Sequence, residues 1–392
     1  PFIPSSSGFA KMPKGWLGSW PDNKPAGVYS GGPYSWKDPK YYYSLADTAK
    51  DWLFKDETGI PSQPPLNTLK KVIPGMVWDT TLPFPFNNTW GYHDACTGAG
   101  MYDKYYEDMV DRYGQPMDID SFSNKMQLMN ATGYQGIFEA ANARISDNGG
   151  VMLWKLNAAL PSVIWQIYDW YLLPNAGYYY MKKACEPIHI QFNQDDSTVA
   201  VINRSRYAQN GLKATATLFD INGRQVDQAT GAVKSVKGDH AASALSLKSA
   251  LQKQKGFVFI ALHLEGKAGE TLSDNIYWTA PGNDYKSLNK MSGSSLQVID
   301  MQKKASGGSV ELSFKLSNTG DQIAFFTRLQ VMENGEELLP TIWSDNYVSV
   351  LPGKTQTVSL SYDEPAADTA DLELLVTGWN TPRQVIQLKD IK

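Results

Sequence analysis

The apolar pattern changes period near residue 188, and that change decides the architecture. Before it, short apolar runs bounded by turn residues alternate with helical stretches. After it, apolar and polar residues alternate along many short runs, the pattern of strands with one face buried. Strand and helix in alternation call for a parallel sheet with helices outside. Short strands at regular spacing call for antiparallel sandwiches. At 392 residues the chain is also too long for one core, since domains run to ~100–200 residues.

In the first part, PFIPSS (1–6), DWLFKDE (51–57) and GVMLWKLN (150–157) suit buried parallel strands. Helices are predicted over 66–73, 101–114 and 121–145, the last capped by Asp120 and Ser121. A further amphipathic helix is predicted over 161–172, with Pro161 in its first turn. Beyond 188, strands are predicted at 188–193, 198–203, 212–220, 244–248, 256–265 and 275–280, and the theme repeats from 295 to 377. Asp220–Gly223 reads as a turn and Asn334-Gly335 as a hairpin. The polar stretch 281–295 reads as a linker.

A closed eight-stranded barrel takes ~250 residues. The first part carries only three or four credible strands and no Gly-rich phosphate-binding turn. It therefore reads as the C-terminal portion of a (β/α)8 barrel, spanning 1–187 and incomplete, with its missing strands supplied from elsewhere. Two sandwiches follow, at 188–285 and 286–392. The chain starts at Pro1 with no methionine and no signal peptide, so its beginning is expected to have been removed.

Composition excludes several function classes. No apolar run approaches the ~18 residues of a transmembrane helix, so no membrane partner is expected. A net charge of −4 argues against nucleic acid, because phosphate contacts need a basic face. Cys96 and Cys185 are too few for a disulfide framework, and with no CxxC they read as free thiols or one bridge. His93, His189, His240 and His263 lack metal-ligand spacing, so neither metal nor cofactor is expected. The sequons at Asn87, Asn130 and Asn203 are patterns that recur by chance.

Aromatic residues crowd the first part: nine of 12 tryptophans and 16 of 21 tyrosines lie in residues 1–188. Such density serves a large core with ring-pinned loops, or a carbohydrate cleft in which sugar faces stack on rings. Carboxylates at strand ends are the natural catalytic candidates in a barrel. Glu57 ends its predicted strand just before Thr58-Gly59 and is one of four glutamates in this part. That place suits a nucleophile attacking an anomeric carbon, and equally a solvated turn residue beside Asp56. Trp154 suits core packing or a sugar platform, with Asn157 shortly after it. Glu139 reads as a helix residue paired with Arg144 or another helix, Glu186 as a linker or cap, and His93 as a loop residue.

Three stretches together resemble the C-terminal part of family 2 glycoside hydrolases, in the branch of exo-β-D-glucosaminidases and endo-β-mannosidases. They are Trp52–Gly59, with Glu57 inside it; Gly150–Asn157 with Pro161–Trp165, Asp169 and the run 178–187; and Leu339–Asn346 with Leu351–Gly353 and Gly378–Asn380. The resemblance implies immunoglobulin-like sandwiches after the barrel portion. It further implies a retaining hydrolase with Glu57 as nucleophile and Tyr34, in Gly32–Trp36, orienting it by a phenol hydrogen bond. Trp154 would floor the subsite of the cleaved sugar, and Trp52 and Asn157 would join it in substrate binding. Pro1–Gly8 resembles a mid-barrel strand tip. The acid/base glutamate belongs to a strand that precedes Pro1 in the family order, and no residue here matches it. The isolated chain is therefore expected to be inactive without the N-terminal remainder of the same protein. The implied substrate is terminal β-linked glucosamine of chitosan-like glycans, with a β-mannoside as alternative and a non-catalytic carbohydrate-binding fragment as another. A periplasmic or secreted location fits by family analogy.

Overall fold

The computed structural model describes residues 32–44, 54–73, 88–96, 100–363, 371–389 and 391. Its first part holds α1 (Lys40–Tyr43), β1 (Lys55–Thr58), α2 (Leu66–Val72), α3 (Asn88–His93), α4 (Met101–Tyr113), α5 (Ile119–Ala143), β2 (Val151–Leu153) and α6 (Ala176–Ala184). β1 and β2 pair in parallel, with Lys55 opposite Val151 and Thr58 opposite Leu153. α5, at 25 residues, is buried on most sides and packs against α1, α4 and α6. It starts with a capping box: the Asp118 carboxylate accepts from Ser121 N at 2.7 Å, and Asp118 N donates to Ser121 Oγ at 3.0 Å. The cap is thus Asp118, not Asp120, and Ser121 is its partner in the first turn. Lys125 reaches back to the Gly114 and Gln115 carbonyls at 3.1 and 2.9 Å, tying α5 to the end of α4.

Several sequence expectations are corrected here. Residues 161–172 are not a helix. Their amphipathic spacing is real, but nonlocal partners claim their backbone groups: Val163 N donates to His93 O and Ile164 N to Ser62 O, both at 2.9 Å, while Trp165 O accepts from Lys155 N at 2.6 Å. Ile164 and Trp165 have φ of 84° and 67°, outside any right-handed helix. The strand predicted over 150–157 stops at Leu153, and the Trp154–Lys155 peptide is cis. The predicted strand at 1–6, the strand tip at Pro1–Gly8, and Trp52 lie outside the described residues. Asn130 and Asn203 are fully buried, with their side-chain amides hydrogen-bonded, so neither sequon presents its nitrogen. Asn87 lies outside the described residues. Cys96 and Cys185 are free thiols.

β3 (Ile188–Asn193), β4 (Thr198–Asn203), β5 (Gln209–Asp220), β6 (Gln225–Val236), β7 (His240–Ser246), α7 (Lys248–Gln252), β8 (Val258–Glu265) and β9 (Thr271–Thr279) come next. They form two antiparallel sheets, ordered β3-β4-β7 and β6-β5-β8-β9, around one apolar core. Then follow β10 (Leu296–Ser306), β11 (Ser309–Asn318), β12 (Ala324–Glu333), β13 (Glu336–Glu337), β14 (Thr341–Trp343), β15 (Val348–Val350), β16 (Thr355–Asp363), β17 (Leu372–Thr377) and β18 (Gln384–Gln387). These give sheets β10-β11-β16-β14 and β13-β12-β17-β18, with β15 on β12. Along β11, Val310, Leu312, Phe314 and Leu316 all point inward, the period-two signature of a half-buried strand. Asn334 and Gly335 turn the β12–β13 hairpin at φ of 50° and 86°.

The stretch 281–295 is more than a linker. Tyr285 and Leu288 are buried, Tyr285 N donates to Arg112 O at 2.7 Å, and Leu288 O accepts from Trp379 Nε1 at 2.7 Å. It stitches α4 to the last strands. Beside it, Phe325 meets Trp278 edge-on and Phe259 at a tilt with centroids 5.1 and 5.2 Å apart, and Tyr180 of α6 meets Trp278 edge-on at 6.4 Å. One aromatic core therefore runs from the first part into the last sheets.

Candidate active site

Glu57 lies near the C-terminal end of β1, half-buried. The Tyr34 hydroxyl donates to its Oε1, and among the described residues no side chain donates to Oε2. Tyr34 is itself held: its carbonyl accepts from Trp165 Nε1 at 2.9 Å, and the two rings meet edge-on at 5.9 Å. The segment bearing Tyr34 is docked on β1, where Gly59 N donates to Pro33 O at 3.4 Å. On the other side of β1, Trp154 N donates to Thr58 O at 2.7 Å. A Cβ at position 59 would sit 1.9 Å from the Trp154 carbonyl, so glycine is required for β1 to meet the end of β2. Trp154 is 41 % exposed, at the point where the end of β2 meets β1.

Polar side chains from α4 and α5 fix the loop that follows β1. Gln63 O accepts from Gln127 Nε2 and Asn130 Nδ2 at 2.9 and 2.8 Å, Gln63 N donates to Asn130 Oδ1 at 3.2 Å, and Tyr102 donates to the Gln63 side chain. The loop after Trp165 is pinned by Asp169, which accepts from Tyr171 N and Leu173 N at 2.8 and 2.9 Å and from the Thr68 hydroxyl of α2. Burial pushes the Asp169 carboxyl up, and the hydrogen bonds from Thr68, Leu173 and Tyr171 pull against it. His93 ends α3 with Nδ1 2.7 Å from Pro161 O, a structural clasp on the same loop.

Of the residues singled out in the sequence, Tyr34 bonds Glu57 directly, and Trp154 is tied through its backbone N to Thr58, the next residue along. Asn157 is exposed and directs its amide to Ala158 O at 3.3 Å, so it stands apart from Glu57's contacts. Trp165 is the residue that sequence reasoning missed as part of this group. Glu139 does not pair with Arg144 as its sequence context allowed; its Oε1 lies 3.2 Å from His189 Nε2 in the junction with β3 and β9. Glu186 faces the same histidine from the other side at 3.3 Å.

Residues 275–381 match the exo-β-D-glucosaminidase Ig-fold domain. The exo-β-D-glucosaminidase of Streptomyces avermitilis is 29% identical over 396 aligned residues, covering 94% of this chain and 44% of that protein. The crystal structure of the exo-chitosanase of Amycolatopsis orientalis superposes with a TM-score of 0.83 at 27% identity, covering 93% of this chain and 46% of the other. This chain matches the C-terminal region of family 2 glycoside hydrolases. The branch is that of the exo-glucosaminidases and mannosidases, for the mannosylglycoprotein endo-β-mannosidase of Lilium longiflorum is 25% identical over 90% of the chain. The chain spans less than half the length of these relatives, 44% in both curated cases. The Ig-fold match begins within β9 and so reaches back across the boundary read at 285 from the sequence.

Proposed function

We propose that this chain is the C-terminal portion of a retaining exo-β-glycosidase that removes terminal β-linked glucosamine from chitosan-like glycans. Glu57 is the nucleophile in this reading. The observation that carries it is a strand-end carboxylate held on one oxygen by a phenol whose own backbone is fixed by Trp165. Oε2 attacks the anomeric carbon, the C1–O bond breaks, and its electron pair goes to the leaving oxygen. A second carboxyl protonates that oxygen and later takes a proton from the water that releases the sugar. In retaining enzymes the two groups sit ~5–5.5 Å apart. The second carboxyl is assigned to barrel strands in the rest of the polypeptide.

The domain limits proposed with this reading are 1–187 for the barrel portion and 188–285 and 286–392 for the two sandwiches. Met152 and Leu156, 55% and 59% exposed, lie on either side of Trp154 and are assigned as the face on which the remaining barrel packs. Among the described residues no helix is long and apolar enough to cross a membrane, and a periplasmic or secreted location is proposed from the polymeric substrate.

A 5-fluoro β-glycosyl fluoride of glucosamine, applied to the full-length protein, is expected to leave a glycosyl adduct on the peptide that contains Glu57. Labelling only by the mannose-configured reagent favours the β-mannoside reading, to which the lily relative belongs. Saccharide binding without any adduct favours a non-catalytic binder.

The same reading fixes the effect of the supporting rings. Tyr34→Phe removes a hydrogen bond to a charged group, worth ~1.5–3 kcal/mol, and is expected to lower kcat by about 10–100-fold. Trp165→Phe keeps a ring but loses the donor to Tyr34 O, and is expected to lower kcat about fivefold with KM little changed. Equal losses in kcat and KM-controlled binding would instead make Trp165 a wall of the sugar site.

A further inference from the structure

Away from Glu57, a cleft of about 810 Å³ opens between the two sheet assemblies and α6. One wall is the outer face of the β6-β5-β8-β9 sheet, with Thr215, Thr217 and His263; the opposite wall is the β14–β16 region, with Asp345 and Gln356; α6 supplies Lys183 at one end. The gap is held open by contacts at its ends. Lys182 Nζ donates to Trp343 O and Ser344 O at 3.0 and 2.8 Å. At the other side Gln322 Nε2 donates to Asn222 O at 3.0 Å, and Gly223, at φ 75°, lets Asp321 O approach to where a Cβ would be 2.2 Å away. A pre-formed space of this size falls in the range of ligand pockets, roughly 300–1,000 Å³.

Its lining has the chemistry of polyol recognition. Asp345 accepts from Asn346 N at 2.9 Å and Gln356 Nε2 at 3.3 Å, and among the described residues it forms no ion pair. Lys183 pairs with Glu186 at 3.2 Å, leaving donor capacity on its ammonium. Asp345 and Lys183 feel each other's charge without touching. The two groups offer a diol complementary partners, a carboxylate to accept from one hydroxyl and an ammonium to donate to its neighbour. Threonine hydroxyls and the Gln228 amide, which donates to Thr217 Oγ1 at 3.1 Å, continue a donor-and-acceptor surface along the sheet.

We infer that this cleft is a second, non-catalytic site that takes a short β-linked hexopyranosyl oligosaccharide and holds the polymer to the protein away from Glu57. The ligand class rests on the proposed glycosidase reading; the site itself rests on the cleft. The test is calorimetric titration of the full-length protein carrying Glu57→Gln with β-1,4-glucosamine hexamer, and in a separate arm with β-1,4-mannohexaose. Two classes of binding are expected, only one of them displaced by an active-site iminosugar. Thr217→Trp, on a solvent-facing strand position, fills the cleft and is expected to abolish the undisplaced class; Asp345→Asn is expected to weaken it about tenfold. Both variants in the otherwise native protein should hydrolyse a small aryl β-glycoside at the native rate, with unchanged melting. Should Asp345→Asn melt early, Thr217→Trp decides alone. A single binding class, or an undisplaced class that survives Thr217→Trp, overturns the inference. Failure of the glycosidase reading shows separately, as no aryl glycoside hydrolysis while cleft binding persists.

Discussion

Glu57→Ala in the full-length protein is expected to slow hydrolysis of a dinitrophenyl β-glycoside by on the order of 10⁴-fold, and sodium azide is expected to restore much of that rate. The product distinguishes roles that a simple loss of activity would not. With the carboxylate gone, a small anion enters the space it leaves and attacks C1 from the same face. A nitrogen–carbon bond forms, the C1–O bond breaks, and the dinitrophenolate departs with the electron pair and needs no proton. The product is then the inverted α-glycosyl azide. A β-glycosyl azide would mean that Glu57 is the acid/base group and that attack still comes from another carboxylate. Native rates in the variant would end the nucleophile assignment outright. In the proposed mechanism Tyr34 matters here, because its phenol occupies Oε1 and would orient Oε2 for attack. Glu57→Gln keeps the shape and the Tyr34 contact, so comparison of the two variants separates lost charge from lost positioning.

Glu57 stood out as a carboxylate closing an apolar run before Thr-Gly, a place that equally suits a solvated turn residue, and the family resemblance is what made it the proposed nucleophile. Its partner was not legible from residue pattern, since Tyr34 lies 23 positions away and only the family resemblance pointed to it. Trp165 was hidden by a helical periodicity that tertiary hydrogen bonds override, as the Ile164–Ser62 and Lys155–Trp165 bonds show. The strands β3 and β4 were read with their observed limits as short alternating runs, yet both are buried on both faces, since the alternating polar residues of β3, His189 and Gln191, bond Glu139 of α5 instead of water. β6 was missed for the converse reason. It is an edge strand of twelve residues with polar composition, and β5 supplies its pairing. The cleft proposed as a second site was invisible to sequence pattern, because its walls come from strands of two separate sheet assemblies far apart in the chain.

The junction between α5 and the sheets carries the other large effect. His189 is fully buried, with Nε2 3.2 Å from Glu139 Oε1 and Nδ1 3.3 Å from Glu186 Oε2. Two carboxylates facing both ring nitrogens hold an imidazolium. Glu139 also accepts from Tyr277 at 2.7 Å and from Asn275 and Gln135 at 3.2 and 3.1 Å, while Glu186 meets Lys183 and the Ser273 hydroxyl at 3.2 and 2.8 Å. Burial pulls the His189 pKa down, but hydrogen bonds and charge from Glu139 and Glu186 outweigh it, so the pKa stands above the ordinary histidine value. Glu186 moves the other way: burial raises it, and His189 and Lys183 more than reverse that. The His189 contribution to stability is therefore complete below about pH 6.5 and lost as pH rises through the raised folded value. The Glu186 contribution is present above its unfolded value and lost as pH falls through the depressed folded one. The junction is strongest between those limits. His189→Gln leaves the Glu139 carboxylate buried without its cation, at a cost of roughly 3–5 kcal/mol. Amide hydrogen exchange across β3 and proteolysis near residues 184–188 of the full-length protein should both accelerate, and their dependence on pH above neutrality should flatten. Glu139→Gln added to His189→Gln should recover a large share of that loss, because two amides can hydrogen-bond without a charge between them. Should wild type and His189→Gln keep the same pH dependence, the imidazolium is not what locks β3 to α5.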